Sequence, residues 1–159
     1  MRNLARLQSK RDRDWVAALP VGRFSGGFSL RWLGPERFSY LPDADPLTFH
    51  RANGEIITPD EMETDGGTIL PILQVLSSVS RWSYAWAFLI HDWDWEIRRI
   101  TGKSFAEVNL TLAEAMRTMQ VMDVLPNRPT DIINVYRGVM SSVARRRWVD
   151  GRNKTSPIA

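Results

Sequence analysis

The chain contains no cysteine. Disulfides and thiolate metal sites are therefore excluded, and packing alone must hold the fold. Histidine is almost as scarce, since His50 and His91 are the only two. Long apolar runs are also lacking: nothing approaches the roughly 20 apolar residues that a membrane span needs. The basic N-terminus has no apolar segment behind it, so no secretory signal peptide is expected. Signatures for a P-loop, a dinucleotide site, a zinc site or a Ser-His-Asp triad are missing too. Charge of one sign does not dominate, because 21 basic residues face 18 acidic ones for a net charge of +3.

What remains is an ordinary globular composition of 159 residues, 43% hydrophobic and 25% charged. That length fits one domain and can bury a core without staples. Seven tryptophans are many for this size. Each needs an apolar wall, so most are expected in the core. The basic residues gather at the two ends: Arg2, Arg6, Lys10, Arg11 and Arg13, then Arg145, Arg146, Arg147, Arg152 and Lys154. Such ends can track phosphates, so nucleic acid is a conceivable partner. A solvated end is the simpler reading, and near a helix C-terminus the dipole itself favours cations.

The expected class is α+β, with a small N-terminal antiparallel β-sheet packed on a C-terminal bundle of three to four helices. Residues 1–20 read as an arm or tail, 21–150 as the domain and 151–159 as a flexible tail. Phe28, Leu30 and Trp32 alternate with polar neighbours, and Phe38 and Tyr40 resume the alternation after Gly34-Pro35. That period of two predicts strands. Asn53-Gly54 between two strand-like runs predicts a tight hairpin over 47–58. Residues 59–68 read as a loop and 69–79 as a short helix or apolar connector. Ser80 is placed to cap a long helix over 81–100, ended by Gly102. Its two apolar stripes predict deep burial. Ser104-Phe105-Ala106-Glu107 is a capping box that opens the next helix, with Phe105, Val108, Asn109, Leu112, Met116 and Met119 on its inner face. Thr130 is expected to cap one last helix through about Arg147, with Ile132, Ile133, Tyr136, Val139, Met140 and Val143 inward.

The chemistry centres on His91 and Asp92. His91 shares a helix face with Phe88 and Trp95, and a buried imidazole needs hydrogen-bond partners. Asp92 projects about a quarter-turn away, so another element must supply that partner. Asn109, a polar residue within the next helix's apolar stripe, is the best candidate, because a short link over 101–103 makes the two helices pack antiparallel. A His–Asn bond of this kind is commonly a structural register pin; it can also orient a general base. Asp92, Asp94, Glu96 and the upstream Asp65 could help hold a hard cation such as calcium, although acids on a helix surface are usually just solvated.

Thr64-Asp65-Gly66-Gly67-Thr68 with Pro71, the helix ending His91-Asp92-Trp93-Asp94-Trp95, the segment Ser104 to Met116, and Tyr136-Arg137-Gly138 occur in that order. Together, over roughly 55–148, they resemble an uncharacterised family of small phage and prophage proteins. That family shows a Thr-Asp loop, an HDxLY helix, an Arg/Asp-bearing helix and a closing Arg-Gly segment. The resemblance implies a phage origin and no known activity. The same residues are more weakly similar to the His-Asp helix pair of secretory phospholipases. That likeness implies His91 as base, Asn109 as its orienting group, and Asp92 with Asp65 as calcium ligands. Trp95 stands where those enzymes have tyrosine, and Asn109 where they have aspartate, so the dyad is degenerate.

The favoured expectation is therefore a virion structural or assembly protein. It would be made in the host cytoplasm, then packaged against other virion proteins. A calcium-dependent hydrolase of lipids or envelope esters is the alternative, and a small inhibitor of a host protein is the third.

Overall fold

The computed structural model describes residues 2–35, 37–64 and 83–150. They form an α+β arrangement of one leading helix, two three-stranded antiparallel sheets and four further helices. The short apolar connector expected at 69–79, the Ser80 cap, Asp65 and the C-terminal tail 151–159 lie outside the described residues.

The segment read as an arm is helix α1, Arg2–Ala18. Its last turn docks on the body: Val16 and Leu19 are buried, and Trp15 packs on Tyr136 at 4.8 Å between ring centres. Asp12 adds an ion pair with Arg137 at 2.8 Å. The polar sequence of 1–14 hides this helix, and Trp15, Val16 and Leu19, which dock it, lie beyond that stretch.

Strands β1 (Arg23–Ser25), β4 (Thr48–His50) and β5 (Ile56–Ile57) form one sheet with β4 central. Strands β2 (Phe28–Gly34), β3 (Arg37–Pro42) and β6 (Met62–Thr64) form the other, with β3 central. The β2–β3 hairpin keeps the expected alternation, with Leu30 opposite Tyr40 and Trp32 opposite Phe38. Tyr40 is buried at one end of that row, whereas Trp32 is 68% exposed at the other. The β4–β5 hairpin also forms, with Asn53-Gly54 inside its turn as expected. Gly54 N–H donates to Arg51 O at 3.1 Å and Arg51 N–H to Glu55 O at 2.9 Å, which closes a three-residue loop. Gly54 alone takes positive φ, at 90°, while Asn53 does not. Strand β6 falls where a loop was expected. It is only three residues long, too short to announce a period, and pairing with β3 creates it.

Helix α2 runs Ala85–Thr101 and ends on Gly102, whose φ of 70° lets its N–H reach Arg98 O. Tyr84, Phe88, His91 and Trp95 are buried along one face, while Ile100 near the helix end is 87% exposed. Helix α3, Phe105–Val121, starts at the Ser104–Glu107 capping box as expected. Its whole predicted stripe is buried. The helices pair antiparallel, since His91 meets Asn109 while Trp95 meets Phe105. The expected last helix is instead two: α4, Pro129–Val139, and α5, Ser142–Val149. Pro129 occupies the first turn of α4, with Arg128 rather than Thr130 at the cap. Val143 is 54% exposed, because the chain turns before reaching it.

Candidate functional site

The α2–α3 interface sets the site. Apolar spacing on both helices brings their inner faces together, and the two polar residues within those faces must satisfy each other. His91 Nε2 and Asn109 Oδ1 lie 2.9 Å apart. Asn109 Nδ2 donates back to Phe105 O at 2.9 Å and faces Met140 Sδ at 3.4 Å. Asn109 is fully buried and His91 is 2% exposed. His91 Nδ1 is 3.8 Å from Asp92 Oδ1, beyond hydrogen-bond reach. Asp92 turns to the sheet, where Thr64 Oγ1 donates to its Oδ2 at 3.0 Å. His91 and Asn109 are thus brought together, and Asp92 ties α2 to β6.

Asp94 and Glu96, the other described acids of the helix, point elsewhere. Asp94 is 1% exposed rather than solvated, and Lys103 Nζ donates to its two oxygens at 2.9 and 2.7 Å. Glu96 is half-buried on another face. Among the described residues, no group of three or more His, Asp or Glu side chains is placed to hold a metal.

Asp94 instead belongs to a charged chain that sequence spacing did not reveal. Arg51 grips Glu114 with two bonds, Nε to Oε2 at 2.8 Å and Nη2 to Oε1 at 2.9 Å. Its Nη1 reaches Glu55 Oε2 at 2.6 Å. Glu55 pairs in turn with Lys103, which closes on Asp94. Burial pushes the Asp94 carboxyl up, against the pull of Lys103. Burial would also raise Glu55, but bonds from Lys103 and Arg51 outweigh it and hold that carboxyl below its ordinary value. The one sequence signal was Glu114 itself, a lone acid inside the run Leu110 to Met116.

No family model matches this chain. No curated protein and no solved structure matches it either.

Two further polar clusters complete the helical half. Tyr84 accepts from Gln120 Nε2 at 2.8 Å and lies 3.3 Å from Asp131. Burial, with Asp131 beside it, pushes the Tyr84 phenol up to about 12, and burial raises Asp131 as well. At the other end of α2, the Arg98 guanidinium lies 4.9 Å from the Trp148 ring and 5.5 Å from the Trp95 ring. Its Nη1 donates to Trp95 O. Its buried Nη2 has no hydrogen-bond partner among the described residues. Burial, reinforced by Arg99, lowers the affinity of Arg98 for its proton.

His50 sits on the first sheet, beside Ser25 Oγ at 3.1 Å, and takes no part in these clusters.

Proposed function

We propose that this protein is a structural or assembly component of a phage or prophage particle, and that its His-Asp helix serves folding. The observation that carries this reading is the closed state of the His91–Asn109 pair. A general base needs a face open to water or substrate. His91 offers no such face: it is 2% exposed, and its Nε2 is engaged by Asn109 Oδ1 at 2.9 Å. A neutral amide that is itself anchored to Phe105 O fixes helix register instead. The ordered likeness to small phage and prophage proteins supplies the biological setting, and other virion proteins are the expected partners. In this reading the protein resides in the host cytoplasm until it is packaged.

Mass spectrometry of purified particles, quantified against the major capsid protein, tests the proposal. A fixed stoichiometric copy number is expected. Absence from particles despite expression in infected cells sinks the structural reading. Ester hydrolysis that depends on calcium and rises in Asn109→Asp would then favour the enzyme. Specific recovery of a host protein would favour an inhibitor.

A further inference from the structure

Helices α4 and α5 meet at a two-residue hinge. Met140 has φ −86° and ψ 4°, close to helical, while Ser141 has φ −63° and ψ 159°. The change of direction therefore rests mainly on one torsion, ψ of Ser141. No proline or glycine occupies the hinge, and the apolar spacing from Ile132 to Val143 runs through it unbroken. Local sequence favours one continuous helix there. The bend is held by the Ser141 cap, whose Oγ accepts from Ala144 N–H at 3.3 Å, and by the docking of Trp148.

That docking is narrow. None of the eight residues of α5 is buried, and Val143 and Val149 are 54% and 75% exposed. Trp148 attaches edge-on to Trp95 at 5.0 Å and to Phe105 at 5.6 Å, with Ala144 packed on the same cluster and the Arg145 guanidinium 6.0 Å from the Phe105 ring. The seat is made by α2 and α3: Trp95, Phe105 and Val108 form a cluster apart from the main core, which Met140, Ala144 and Trp148 cover. A well-formed seat is thus filled by a short helix on a single-torsion hinge.

We infer that α5 exchanges between two copies of this chain. Straightening at Ser141 merges α4 and α5 into one helix over 129–149, and the Trp148 of each copy takes the Trp95–Phe105–Arg98 seat of the other. The occupant follows from the seat, which already fits this helix. In an exchanged dimer the same contacts form between copies, so no new complementarity is needed. Straightening also gives the first N–H groups of α5 intrahelical acceptors that a helix start lacks. It sets Val143 one turn beyond Val139 on the same helical face. The inference is independent of the assembly role proposed above, because such a dimer would form equally in an enzyme.

Two substitutions move the hinge in opposite directions. Ser142→Pro suits the bent form, since Ser142 is the first helical residue of α5 and follows an extended residue. In the merged helix the same proline loses a backbone bond and collides with the preceding turn. Ser141→Ala removes the cap and favours the merged helix. Light scattering after size-exclusion, over a range of concentrations, reads the result. The wild-type chain is expected to dimerise as concentration rises. Ser141→Ala should tighten the dimer by about fivefold per hinge, or roughly 25-fold for two hinges. Ser142→Pro should remain monomeric throughout. A Ser142→Pro dimer as tight as wild type would place the interface elsewhere and overturn the inference. Monomers at every concentration for both wild type and Ser141→Ala would overturn it too, leaving the seat to its own helix or to a different protein.

Discussion

At the scale of single residues, the buried polar groups decide most. His91→Ala leaves Asn109 Oδ1 without its imidazole partner in a closed site. A loss of about 1–3 kcal/mol is expected, seen as a lower urea midpoint. A midpoint equal to wild type would remove the folding role assigned to this pair. Asp94 offers a pH test with a defined sign. Its carboxyl is raised by burial, so the folded state takes up its proton before the unfolded chain does. That contribution adds stability as pH falls through the folded value and works against stability once the group is charged. Glu55 is depressed and does the reverse, losing its contribution as pH falls. Asp94→Asn imitates the protonated form. Relative to wild type, its stability should therefore improve as the pH rises from acidic to neutral, measured by urea unfolding at each pH. A difference that stays flat would mean that Asp94 does not titrate with the fold. The partner of His91 was legible in the sequence because both residues interrupt apolar stripes. The burial of Asp94 was not, because Lys103 covers it only once the link after α2 folds back and Glu55 of the β4–β5 hairpin holds the same ammonium.

At the scale of elements, backbone conformation and local patterning set what forms. The β1–β2 connection depends on Gly26, with φ of 75° and a position where a Cβ would stand 2.1 Å from Pro46 O. Gly54 also has positive φ, 90°, but nothing within 4 Å of the same point. Gly54→Ala should thus cost only the strain of that φ, about 1–2 kcal/mol. Gly26→Ala adds a collision with backbone and should cost clearly more. Thermal melts of the two variants compare them directly, and equal losses would contradict the close approach. Helix α3 and the end of α2 were readable because a capping box and a C-terminal glycine are local devices. Strand β6 and the break between α4 and α5 were not. The first exists through its pairing with β3. The second runs against an unbroken helical pattern and depends on where Trp148 finds a wall.

At the scale of the molecule, the chain from Glu114 through Arg51, Glu55 and Lys103 to Asp94 binds the first sheet to the helical half. Arg51→Ala strands Glu114 in a nearly buried site, and breaking such a pair costs about 3–5 kcal/mol. Faster hydrogen exchange is expected across the β4–β5 hairpin, since that hairpin carries both Arg51 and Glu55. Global destabilisation with unchanged relative protection there would show that the network does not anchor the hairpin. Replacing Arg51 and Glu114 together by Met and Leu should recover most of the loss, because an apolar pair leaves no buried charge.

The sequence by itself determined the α+β class, the β2–β3 and β4–β5 hairpins, the capped start of α3 and the apolar faces that join α2 to α3. Each follows from residues within one or two turns of each other, where period, cap and turn chemistry act locally. Tertiary structure alone decided that Asp94 is buried, that Arg51 reaches Glu114, that α1 docks through its last turn and that α5 bends back onto Trp95. Those outcomes depend on which surfaces meet after the elements form. The desolvation and pairing energies that settle them arise only between residues far apart in the chain.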